Sequence, residues 1–138
     1  MRRVHENYRP NLFFVILFFI TLTVIARIVA KPHGPHGGIV QKAGEYYIEM
    51  KNPEKKFYAY LLDKKFKTIS NKDVSGNARF LFSDSTTFDI PLKPAEENAF
   101  TCVVPGDFYK CKITFAVSGN SISAKFDNPK QIVMNDGR

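Results

Sequence analysis

Cysteine and histidine are scarce in this chain: two cysteines and three histidines among 138 residues. That scarcity argues against several chemistries at once. Cys102 and Cys111 stand nine positions apart, which matches neither a CxxC redox pair nor a zinc-ribbon knuckle. His33 and His36, the two histidines beyond the hydrophobic run, lie in a glycine/proline stretch rather than a pocket-forming loop, so no Ser/His/Asp set is apparent. Glu96 and Glu97 fall in a loop, and Asp63, Asp84 and Asp107 occupy turn-like sequence. No glycine-rich phosphate loop precedes a helix, and no repeat or low-complexity segment is present. The expectation is a chain without catalytic apparatus.

The formal net charge of +7 suggests a polyanionic partner until it is divided along the chain. Residues 1–31 hold five basic groups (Arg2, Arg3, Arg9, Arg27 and Lys31) against Glu6, and the remaining 107 residues hold fifteen against twelve acids. Charges in that larger part are interleaved with apolar residues, as on a solvated sheet face, whereas a nucleic-acid surface concentrates them. Lys64, Lys65 and Lys67 around Phe66 make one short basic run, read as a turn between strands. Nucleic acid is not an expected partner.

One long hydrophobic run is present. Leu12 to Ala26 (LFFVILFFITLTVIA) carries no charge and follows a short basic segment, the layout of an export leader. A full membrane span needs about 20 apolar residues. The run approaches that length through Ile28, Val29 and Ala30 if Arg27 snorkels to the interface. Cleavage after Ala26 or Ala30 would leave Val24 or Ile28 where a small residue is preferred. An uncleaved signal-anchor and a cleaved signal peptide both remain open. Arg2, Arg3 and Arg9 favour a cytoplasmic N-terminus. The rest of the chain is then expected on the exported side of the cytoplasmic membrane, anchored through residues 12–30 or released into the periplasm.

From Gly38 onward apolar residues recur with a period of two, and turn residues interrupt them every 8–12 positions. Expected strands are Tyr46–Lys51, Lys56–Asp63, Asn77–Ser83, Thr86–Lys93, Ala99–Val104, Lys110–Val117 and Ser121–Phe126. Pro91 lies inside one of them, so that strand is expected at an edge or with its proline facing away from a partner. No window shows a helical period. The fold class is read as all-β: an immunoglobulin-like antiparallel β-sandwich of about seven to eight strands, preceded by one N-terminal hydrophobic helix. Residues 1–31 form the leader, 32–37 a His/Gly/Pro linker, 38–128 the sandwich and 129–138 a flexible C-terminal tail.

Two groups of residues could carry chemistry. Cys102 and Cys111 fall on consecutive expected strands around Pro105 and Gly106, and a symmetric hairpin would set them opposite each other. Opposed Cβ atoms lie about 4.5–5.5 Å apart, near the reach of a disulfide in an oxidising compartment. A Cys102–Cys111 disulfide and two unpaired thiols both remain open. The second group is Pro32 to Gly38, PHGPHGG. Imidazoles on flexible backbone can turn toward one copper or zinc ion, which makes His33 and His36 candidate metal ligands. Two donors alone leave an open site, and a third would come from Glu45, Glu49 or Met50. The competing reading is a polar linker in which Gly37 and Gly38 shape entry into the first strand.

The PHGG opening, YYIEM, FYAYLLD, ISNKDVSG and ITFAVSGNSISAKF occur in an order that resembles a small bacterial envelope β-sandwich. The pattern is similar to the N-terminal domain of periplasmic adaptor subunits of heavy-metal efflux pumps. The matching residues are His36, Gly37 and Gly38 in the opening, then Tyr58, Tyr60, Leu61, Leu62 and Asp63 in the later strand. The resemblance implies an association with copper, zinc or cobalt resistance. It covers about Pro32 to Asn128, without an adaptor's coiled-coil hairpin or further domains. The expected function is therefore a non-enzymatic envelope binding module, an accessory in transition-metal homeostasis or efflux. Its expected partner is a metal-efflux protein or another envelope protein. The alternative is a structural or protein-interaction module with no metal role.

Overall fold

The computed structural model of the chain describes residues 33–54 and 56–130. The hydrophobic run, with the helix expected there, and the tail beyond Lys130 lie outside the described residues. Among the described residues no helix is long and apolar enough to cross a membrane.

Eight strands follow in order: β1 (Ile39–Ala43), β2 (Tyr46–Lys51), β3 (Lys56–Leu62), β4 (Ser75–Leu81), β5 (Thr87–Pro94), β6 (Phe100–Val103), β7 (Lys110–Val117) and β8 (Asn120–Asp127). All neighbouring strands are antiparallel, in the order β1-β2-β3-β6-β5-β4-β7-β8. The expected all-β antiparallel architecture is therefore present. In place of two separate sheets, however, the strands join into a single, nearly closed, barrel-like sheet. The join is narrow: β5 and β6 share only the pairs Lys93↔Thr101 and Pro94↔Phe100.

Alternation in the sequence decides what each strand buries, because successive side chains point to opposite faces. Phe57, Ala59 and Leu61 of β3 turn to the interior, where they meet Ala78 and Phe80 of β4, Ile113 and Phe115 of β7, and Ala124 and Phe126 of β8. Phe57 and Phe80 pack edge-to-face with ring centroids 5.1 Å apart, so the two halves of the sheet share one core. The opposite face of β3 is also covered. Tyr60 and Leu62 join Val40 and Ala99 in a smaller cluster on the outside of the sheet.

The segment between β6 and β7 corrects the expected hairpin. Phe108 is 1% exposed and packs 5.1 Å from Phe80 and 6.3 Å from Phe57, centroid to centroid. Burying that ring carries the chain across the end of the barrel, and the Tyr109 N–H donates to the Leu81 carbonyl at 2.7 Å. β7 consequently pairs with β4 and β8, while β6 pairs with β3 and β5. The two cysteine-bearing strands are not neighbours.

Candidate functional site

Glu49 is the one carboxylate among the described residues that is fully buried, at 0% exposure. Strand register sets it between Val40 of β1 and Tyr60 of β3 on the outer face of the sheet. A buried carboxylate needs donors, since an unpaired polar group loses its hydration with nothing in return. The His/Gly/Pro segment before β1 supplies them. The backbone N–H groups of His36 and Gly38 donate to Oε1 at 3.0 and 2.8 Å, and His36 Nδ1 lies 2.8 Å from Oε2.

That segment can do this because its sequence encodes a tight turn. Gly37 N–H donates to the Gly34 carbonyl and Gly34 N–H to the Gly38 carbonyl, both at 3.0 Å. This is a type I turn with Pro35 at the position that favours a fixed φ, closed by Gly37 at φ +79°. Space supplies the second constraint. A Cβ on Gly38 would clash with the Met50 carbonyl oxygen, and one on Gly34 with the Glu49 carboxylate. Glycine is needed at both places so that backbone can approach the carboxylate closely.

His36 completes the arrangement. Its ring stacks on Tyr60 with centroids 3.6 Å apart and planes 6° from parallel. Its Nε2 lies 3.4 Å from Thr68 Oγ1. Thr68 reaches that position because the turn after β3 is tied to Asp63, whose Oδ1 accepts from the amides of Lys65 and Lys67 at 2.8 and 2.9 Å. Those amide donors hold the Asp63 carboxyl below its ordinary range. Burial raises the Tyr60 phenol, with the Glu49 carboxylate as the second cause.

The two candidate metal ligands are thus placed differently. His36 lies over the outer face, on Tyr60. His33 is exposed and forms a bridge with Ile39, whose side chain packs on the interior cluster, so register directs His33 toward the other face. Of the suggested third donors, Glu49 meets His36, Met50 turns into the core, and Glu45 is exposed beside Lys64 at 3.4 Å. Among the described residues no three His, Cys, Asp or Glu side chains are grouped to hold a metal ion. The sequence reading missed Tyr60 as the platform and Glu49 as the centre of the turn. Three glycines around one acid were the available signal.

Both cysteines are free thiols. Cys111 is buried and lies 3.4 Å from Met50 Sδ. Burial pushes the Cys102 thiol up from 9.0 to about 11 and Cys111 to about 12. Raised values keep both protonated near neutrality. Their contribution to stability is complete below about pH 9 and is lost as pH rises toward the folded values. With a thiolate fraction on the order of one in a thousand at pH 8, Cys102 should react with iodoacetamide far more slowly in the folded chain than in urea. Equal rates in the two conditions would contradict this burial.

No protein-family model matches the chain, and no curated protein or solved structure matches it. Its function must therefore be read from the geometry.

Proposed function

We propose that the chain is a non-enzymatic binding module of the bacterial cell envelope, exported by its hydrophobic leader. The observation that carries this reading is the engagement of His36. Its ring is stacked on Tyr60, its Nδ1 is held by Glu49 and its Nε2 faces Thr68. A histidine held in this way secures the turn at residues 34–38 to the sheet, leaving the sheet surfaces and edges to meet a partner. The narrow join between two facing half-sheets supports kinship with immunoglobulin-like sandwiches.

A second reading is favoured by one observation. A carboxylate holding one imidazole nitrogen orients the other as a metal donor, and the Glu49–His36 pair has that form. In this reading the chain is an accessory in copper, zinc or cobalt handling beside an efflux protein, as the resemblance to pump adaptors implies.

Titration of the purified full chain with Zn(II) and Cu(II) separates the two readings. The interaction module should bind neither metal more tightly than about millimolar, and His36→Ala should lower its melting temperature in metal-free buffer. Micromolar binding abolished by the His33→Ala/His36→Ala double variant would establish the metal reading instead.

A further inference from the structure

The barrel has an open seam. β5 and β6 pair at Lys93↔Thr101 and Pro94↔Phe100 and then part. Continuing the same register would set Leu92 opposite Cys102 and Pro91 opposite Val103, where the proline has no N–H to donate. From that point, among the described residues, β5 is paired only with β4, and the end of β6 only with β3. β5 is not an edge strand, since it lies between β6 and β4, but at Pro91 it is paired with Asn77 of β4 and not with β6.

The parted strands enclose a cleft of about 490 Å³, whose lining includes Ile90, Pro91, Cys102 and Val103. Val103 is 85% exposed, an unusual position for an aliphatic side chain on a strand. Lys56 and Lys93 also line the cleft, and among the described residues neither has a carboxylate within ion-pair distance. Among the described residues, an unpaired strand edge, apolar walls and two lysines without a carboxylate partner thus occur together.

We infer that this seam receives an extended, acidic segment of a partner protein, which adds as a strand beside β6 and places its carboxylates against Lys56 and Lys93. The inference deepens the binding-module reading and rests on it. Strand addition draws its affinity from main-chain hydrogen bonds and its specificity from alternate side chains. β6 offers the usable edge, since Pro91 blunts β5. One face of the incoming strand meets the apolar walls, and the charges select an acidic sequence over a basic one.

The test is fluorescence anisotropy on the full chain in detergent, using an eight-residue alternating Glu/Val peptide and its Lys/Val counterpart. The acidic peptide should bind about tenfold or more tightly than the basic one, with affinity falling as salt rises. Lys56→Glu/Lys93→Glu should reverse that preference while thermal melting stays unchanged, since both lysines are exposed. Acidic-peptide binding untouched by the double variant overturns the seam but leaves a binding module standing. Binding of neither peptide overturns the acidic-strand assignment, and the metal titration separately judges the wider reading. If the chain instead dimerises, and the double variant abolishes the dimer, the seam belongs to a second copy and the assignment is likewise overturned.

Discussion

Replacing Glu49 with alanine should destabilise the domain by about 3–5 kcal/mol, the range for removing one partner of a buried charged or hydrogen-bonded group. The variant strands two backbone donors, the N–H groups of His36 and Gly38, which meet Glu49 Oε1 at 3.0 and 2.8 Å. It also takes the carboxylate from His36 Nδ1 and leaves a hole under the turn at residues 34–38. At roughly 4–8 °C per kcal/mol for a domain of this size, melting should fall by about 12–40 °C. Glu49→Gln separates the causes. Its carbonyl oxygen can still accept from both amides and its volume is unchanged, so it should retain more than half of the lost stability. Equal losses in the two variants would mean that the negative charge, rather than acceptance and shape, holds the turn.

Phe80→Ala should cost about as much, 3–5 kcal/mol, for a different reason. Phe80 is fully buried and packs edge-on against Phe57 at 5.1 Å and Phe108 at 5.1 Å. Those three rings belong to β4, β3 and the crossing segment before β7, so the cavity would open where both half-sheets and the crossing meet. The control is Phe88→Ala. That ring is 50% exposed and has an edge contact with Phe82 at 5.6 Å, so its truncation should cost about 1 kcal/mol or less. Urea melts of the two variants would check the contrast, and a Phe80→Ala loss no larger than that of Phe88→Ala would contradict this view of the core.

Seven of the eight strands were legible because their pattern is local, whereas β1 (Ile39–Ala43) was not among the expected strands. Phe57, Ala59 and Leu61 alternate with Tyr58, Tyr60 and Leu62, and the fold places these sets on opposite faces of β3. Strand order was not legible, because it depends on pairs far apart in sequence such as Ala59↔Phe100. The supposed β6–β7 hairpin failed for a specific reason. Pro105 and Gly106 look like a turn, but the buried side chain that redirects the connection is Phe108, which a turn reading leaves in solvent. Cys102 and Cys111 were consequently opposed in the sequence reading and lie on non-neighbouring strands in the fold.

The candidate site was half legible. PHGPHGG was singled out for its histidines, and Glu49 was named among the donors that could join them. What was hidden is the direction of dependence. Glu49 lies in YYIEMK, a strand whose alternation permits an outward, solvated glutamate as readily as a covered one. The turn at residues 34–38, folded over that face, covers it. The glycines then acquire a reason beyond turn-making, since Gly34 and Gly38 leave room for the carboxylate and the backbone beside it.

Amide hydrogen exchange on the full chain tests the central claim, that the turn at residues 34–38 is locked onto Glu49, most directly. The N–H groups of His36 and Gly38 should exchange slowly, with protection approaching that of the strands, and Glu49→Ala should release both. Exchange of these two amides at the rate of an unstructured peptide in the unmodified chain would contradict the account.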